Sequence, residues 1–190
     1  WRSENHKRRR ICLYESRDGV NWTRPGLSDF PVPGHDKTNI ILDSKEGAAA
    51  YASVIIGPAD KEWPYQMFAL RAGWARGEGA PPEGTGYYRY RSRNGKAWEA
   101  VGDRVEGPMT GDLCYFYNDD DEGYVAYYRL AAERRQNDHI PIYEDAPRRS
   151  LYRATSDDGT RWVKDQSMFL TADERDHRDT QYQECVPFKV

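Results

Sequence analysis

The sequence predicts an all-β protein assembled from repeated units of short antiparallel strands. Three observations carry this expectation. The pattern Ser-x-[Asp/Asn]-Gly-x-x-Trp occurs as Ser16-Arg17-Asp18-Gly19-Val20-Asn21-Trp22, Ser92-Arg93-Asn94-Gly95-Lys96-Ala97-Trp98 and Ser156-Asp157-Asp158-Gly159-Thr160-Arg161-Trp162. The three Trp positions lie 76 and 64 residues apart, and a pattern recurring at such intervals marks a structural repeat. No stretch sustains helical periodicity, whereas several short runs alternate with a period of two. Finally, 13% of the residues are aromatic in a chain of mean hydropathy −0.97. That mixture fits strands and turns and argues against disorder.

Taken in order, residues 1–10 are polar and end in Lys7-Arg8-Arg9-Arg10. Arg8-Arg9 stands at the same distance before Ser16 as Arg148-Arg149 before Ser156. The basic pair is therefore expected at a repeated strand edge, where charge discourages pairing with other chains. Residues 11–15, 87–91 and 151–155 read as the strands that precede the three motifs. The Asp-Gly or Asn-Gly that follows each is a tight-turn signal, because Gly accepts φ > 0 and the Asx side chain bonds its own backbone. The Trp is expected to fold back on the turn or to open the next strand.

Residues 23–38 hold three prolines and two glycines and read as a connection. Strands are expected at 39–43, 48–56 and 66–72, with a Gly/Pro-rich loop at 73–86 and the 87–91 strand closing the unit. No helix follows those glycines, so they are not a phosphate cradle. Residues 112–118 and 124–130 read as a hairpin turning at Asp119-Asp120-Asp121-Glu122-Gly123, whose acidic run lacks calcium-loop spacing. A polar excursion at 131–147 leads to the 151–155 strand. Residues 163–180 are expected to be a connection, and 181–190 the opening of a further strand. Units of three or four short strands describe propeller blades. On this count residues 1–37 end one blade, 38–103 and 104–165 are two whole blades, and 166–190 begin a fourth. Such a chain is a partial β-propeller whose remaining blades lie outside it.

Composition excludes several functions. With Lys+Arg 28 against Asp+Glu 31, the net charge of −3 gives no general affinity for nucleic acid. Three cysteines, Cys12, Cys114 and Cys185, without a Cys-x-x-Cys, argue against a disulfide framework or zinc site. His35, His139 and His177 lack ligand spacing, so neither metal nor cofactor is expected. No apolar run approaches the roughly 20 residues of a membrane helix.

Several segments resemble the five-bladed propeller glycoside hydrolases, the invertase-like and arabinanase-like families and their bacterial relatives. They are Ile11-Cys12-Leu13-Tyr14-Glu15-Ser16 with its turn, Thr38-Asn39-Ile40-Ile41-Leu42, Gly111-Asp112-Leu113-Cys114-Tyr115-Phe116-Tyr117-Asn118, Gly123-Tyr124-Val125-Ala126-Tyr127-Tyr128 and Arg148-Arg149-Ser150-Leu151-Tyr152-Arg153-Ala154-Thr155-Ser156. The resemblance implies a central funnel of carboxylates, secretion or a periplasmic home, and a carbohydrate substrate. It makes Asp112, which opens one innermost strand, a funnel carboxylate that tunes pKa or holds the sugar, while an Asp matching the family's first-blade base or nucleophile is not visible. It makes Glu184 the general acid, because Glu184-Cys185 is similar to the Glu-Cys of invertase-like enzymes. There Val186-Pro187-Phe188 replaces the Pro-Asp of those enzymes. Tyr115, Tyr182 and Gln183 are the expected sugar contacts, with Tyr117 and Trp74 as further aromatic candidates.

Two other functions compete. A propeller of this kind can be non-catalytic and bind carbohydrate or protein. A sialidase Asp-box reads Ser-x-Asp-x-Gly-x-x-Trp, and the residue between Asp and Gly is absent here. Asp18, Asn94 and Asp158 are expected to serve their turns and not catalysis.

Overall fold

The computed structural model describes residues 10–43, 50–57, 61–71, 86–109, 114–120, 122–131, 149–170 and 175–176. Ten strands and no helix are found among them: β1 (Arg10–Cys12), β2 (Ile40–Asp43), β3 (Ala50–Ile56), β4 (Tyr65–Arg71), β5 (Gly86–Ser92), β6 (Glu99–Arg104), β7 (Cys114–Asp119), β8 (Gly123–Ala131), β9 (Arg149–Ser156) and β10 (Val163–Leu170). They form an antiparallel β1-β2 pair and two four-stranded antiparallel sheets, β3-β4-β5-β6 and β7-β8-β9-β10. Each four-stranded sheet is a meander in chain order, and no sheet closes on itself among the described residues. Contacts divide the chain into two units, Trp1–Arg104 and Val105–Val190.

In the first unit, the side chains of β4 from Gln66 to Leu70 are all buried, so both faces of this strand are covered. Met67 and Ala69 join Tyr90 and Leu42 in one cluster, with Ile11, Ala52, Tyr88 and Trp98 packed against it. The β1-β2 pair thus seats on one face of the sheet through Ile11 and Leu42, which are register partners. Arg10 reaches the buried Asp43 at 3.1 Å and holds the end of that pair. In the second unit, Cys114, Phe116, Ala126, Tyr128, Tyr152 and Ala154 are buried, and the strand registers put them on one face. Trp162 meets Phe116 there, edge to face, with ring centres 5.2 Å apart.

The repeated motif is one turn built three times. The Ser Oγ accepts the Gly N–H at 2.9, 2.9 and 3.0 Å. The Asx Oδ1 accepts the next two N–H groups, from Val20 and Asn21 at 2.8 and 2.7 Å, Lys96 and Ala97 at 2.9 and 3.0 Å, and Thr160 and Arg161 at 2.7 and 3.0 Å. Each indole N–H returns to the Gly carbonyl at 3.1, 3.0 and 3.2 Å. Gly19, Gly95 and Gly159 share φ values of 73°, 72° and 73°, the left-handed region where a side chain would be strained. The residue after each Trp then pairs with the residue before the Ser: Thr23 with Glu15, Glu99 with Arg91, Val163 with Thr155. The Trp therefore both folds back and leads into the next strand.

Five expectations need correction. The strand expected at 11–15 ends at Cys12, and Glu15 meets Thr23 only as an isolated bridge. The 39–43 segment pairs with β1 and does not join the sheet that follows it. The 87–91 strand does not close its unit, because β6 pairs beyond it. Residues 163–170 are the strand β10 and not a connection. Arg149 opens a strand flanked by β8 and β10, so it guards no sheet edge. The 119–123 hairpin is as expected: Asp119 pairs with Gly123, and Glu122 N–H donates to Asp119 Oδ1 at 3.2 Å. The loops expected at 73–86 and 131–147 lie almost wholly outside the described residues.

Candidate functional site

Of the residues the sequence nominates, Tyr115 and Tyr117 lie among those described, while Asp112, Glu184, Tyr182, Gln183 and Trp74 lie outside them. Tyr115 sits on β7, the first strand of its meander and an edge strand of the sheet. Asp112 precedes the start of that strand, Cys114, by two residues. The alternation of β7 buries Cys114 and Phe116 on one face and leaves Tyr115 and Tyr117 half-buried on the other.

The hairpin pairs Tyr115 with Tyr127, and Tyr127 with Arg153 on β9. These three and Tyr117 therefore share a sheet face. Tyr117 stacks on Tyr127 with ring centres 6.0 Å apart and planes 12° from parallel. Partial burial, followed by the hydrogen bond with Tyr127, pushes the Tyr117 phenol up to about 12, so it stays protonated at neutral pH. Arg153 forms an ion pair with Glu122 from the hairpin turn. Flat rings, a protonated phenol and a fixed guanidinium are groups able to stack on and hydrogen-bond to a polyhydroxylated ligand. Tyr127 and Arg153 were missed as candidates by sequence reasoning. A hairpin centred on residue 121 places 127 opposite 115, so the signal for Tyr127 was the turn position.

Other polar groups are already committed. Two backbone N–H groups, together with the Asn21 amide and the Ser16 hydroxyl, hold the Asp18 carboxyl far below its usual range. Asp158 is lowered by the Arg161 and Thr160 N–H groups. Both carboxylates thus serve their turns. His35 is exposed, and its backbone bridges to Val32. The Cys114 thiol is buried and pushed well up, which makes it a poor nucleophile. Among the described residues no group of three or more His, Cys, Asp or Glu side chains could hold a metal ion.

Comparison with protein-family models, curated proteins and solved structures returns no match for this chain.

Proposed function

We propose that the chain contributes blades to a β-propeller glycoside hydrolase. One observation carries the reading. Two consecutive four-stranded meanders each join their third and fourth strands, β5 to β6 and β9 to β10, through the same Ser-x-Asx-Gly-x-x-Trp turn. Sheets of this order and length are the building unit of propellers, in which first strands line the axis. Asp112 falls just before one such first strand, and Glu184 is the counterpart expected for the next.

The chemistry required is cleavage through an oxocarbenium-like state flanked by two carboxyl groups. They stand roughly 5–5.5 Å apart for retention and 6.5–9.5 Å for inversion. In this reading Glu184 protonates the leaving oxygen, and Asp112 supplies negative charge that raises the Glu184 pKa or activates the nucleophile. Tyr115, Tyr182 and Gln183 position the sugar, and Tyr117, Tyr127 and Arg153 share the sheet face of Tyr115.

The test is a glycan hydrolysis screen of the complete protein, followed by Glu184→Gln and Asp112→Asn. Each substitution is expected to lower kcat at least about 100-fold with unchanged circular dichroism and thermal unfolding. Unchanged turnover in Glu184→Gln would remove the acid assignment. Glycan binding without any released product would make the propeller a binding module instead.

A further inference from the structure

One end of the first four-stranded sheet carries a fixed positive charge that no carboxylate answers among the described residues. Arg71 closes β4 and pairs with Gly86, the first residue of β5. Strand alternation puts Gly86, Tyr88 and Tyr90 on one face, and register adds Arg71 to them. The half-buried Arg71 guanidinium lies over the Tyr88 ring, with Cζ 3.9 Å from the ring centre. Its Nε–H donates to the hydroxyl of the buried Tyr90 at 3.0 Å. Two rings thus hold the group in place. Its two Nη groups, an edge able to grip an anion with parallel N–H bonds, make no hydrogen bond among the described residues. Arg10, Arg91, Arg93, Arg153 and Arg161, by contrast, each meet a carboxylate.

A second cation stands at the same end. Arg104 is the register partner of Tyr88, and its stem crosses Gly86, where a Cβ would lie 2.5 Å from Arg104 Cδ. The meander itself does not demand this charge. Gly86 and Ser150 both stand six residues before the Ser of their motif, and the partner of Ser150 is Leu130. Leucine thus takes the place of Arg71 in the second sheet.

This is also the end at which the first strand begins, since Ala50 of β3 pairs with Leu70. The strand is irregular there. Tyr51 and Ala52 stand between the pairs Ala50–Leu70 and Ser53–Phe68, against Ala69 alone. Tyr51 has a φ of 52°, the one positive value outside glycine among the described residues. Bulges beside binding sites re-aim a side chain at such a cost in strain. In the second sheet β7 pairs with β8 without a bulge.

We propose that the glycan this protein acts on is acidic, and that Arg71 holds its anionic group, a uronate carboxylate or a sulfate ester, through the two Nη groups. In the glycosidase reading, on which this assignment rests, the sugar meets the ends at which first strands begin. Tyr88 and Tyr90 fix the guanidinium before the ligand arrives, so little side-chain freedom is lost on binding. Arg104 adds a second positive charge, and a neutral sugar would leave both without a counterion.

The test uses the complete protein and calorimetric binding. The probes are galacturonate, mannuronate and glucuronoxylan oligomers and sulfated galactan oligomers, each beside its neutral counterpart made by carboxyl reduction or desulfation. The wild type is expected to hold an acidic oligomer at least about tenfold more tightly than its neutral counterpart. Arg71→Ala is expected to bring that ratio close to one. Arg71→Lys, which keeps the stem and the charge but not the fork, is expected to lower the ratio at least about threefold. Tighter binding of the sulfated than of the uronate oligomers assigns the anion to a sulfate ester. Equal binding of acidic and neutral oligomers by the wild type, as when a carboxylate of the protein itself occupies Arg71, overturns the proposal and leaves the glycosidase reading standing. An acidic preference intact in both Arg71 variants also overturns it. Binding and cleavage of no glycan at all overturns the glycosidase reading and the acidic substrate with it.

Discussion

The first and third turns carry the same hydrogen bonds and the same glycine geometry, yet one Trp is exposed and the other buried. The difference separates two jobs that the motif performs. Its Ser, Asx and Gly close a turn whose bonds all lie within seven residues, so nothing beyond the segment is needed to form it. Its Trp becomes a core residue only where other elements arrive. At the third turn these are Phe116, Tyr124 and a strap formed by residues 105–109, whose Glu106 exchanges two backbone hydrogen bonds with Thr160 and Trp162 and whose Gly107 would bring a Cβ to 2.7 Å from Trp162 Cβ. The second turn is intermediate, since Trp98 packs partly against the Met67 and Tyr90 cluster.

The largest expected effect breaks this contrast directly. Trp162→Ala removes a ring from a packed site and should destabilise by about 3–5 kcal/mol. Trp22→Ala, on an exposed ring, should change stability by about 0.5 kcal/mol or less. Urea midpoints with unchanged slopes measure both. Similar losses at the two positions would mean that burial is not what distinguishes them.

Next in size is the strap. Gly107→Ala forces a methyl group into Trp162 Cβ and should cost about 1–3 kcal/mol. The exposed ion pair between Glu106 and Arg161 is a weaker contributor, and Glu106→Gln should cost less than about 1 kcal/mol. A Gly107→Ala protein as stable as the wild type would show that the strap can lift away freely.

The smallest effects concern the Asx residue. Asp158→Ala leaves two N–H groups without their acceptor and should cost about 1 kcal/mol. Asp158→Asn should be close to neutral, because Asn94 already makes both bonds in the second turn. The pH response follows from sign. Asp18 and Asp158 have folded pKa values below the ordinary 3.8, so their stabilisation is present above pH 3.8. It is lost as pH falls below that value towards the folded pKa. The Asp18→Asn, Asp158→Asn double variant should therefore show a flatter acid limb in unfolding experiments between pH 4 and 2, expressed as roughly half a pH unit or more of altered midpoint.

Much of the fold was legible from local signals. The strands before the second and third motifs, the 119–123 hairpin and the alternation of β7 announce themselves through apolar period and turn residues. Strands β6 and β10 did not, because neither EAVGDR nor VKDQSMFL alternates apolar and polar residues along its length. In β6 five of six residues are exposed, and no apolar alternation marks a strand with so little to bury. The pairing of β2 with β1 was equally hidden, since β2 is buried throughout and its sequence does not name its neighbour. For the candidate site, residue order marked Tyr115 through its strand. Tyr117 shares that face through the alternation of the same strand, whereas the company of Tyr127 and Arg153 emerged only from register, because one residue of slip would send them to the opposite face.

The sequence by itself determined the turns, since their bonds are local and their residue types are required by geometry. It also determined the all-β character, through turn spacing and the absence of helical period. Only the tertiary structure decided which Trp is a core residue and which is an exposed ring. That outcome depends on whether a segment from elsewhere, such as Val105 to Met109, runs alongside the turn. Burial of a side chain is a property of its neighbours, and no seven-residue motif can specify those.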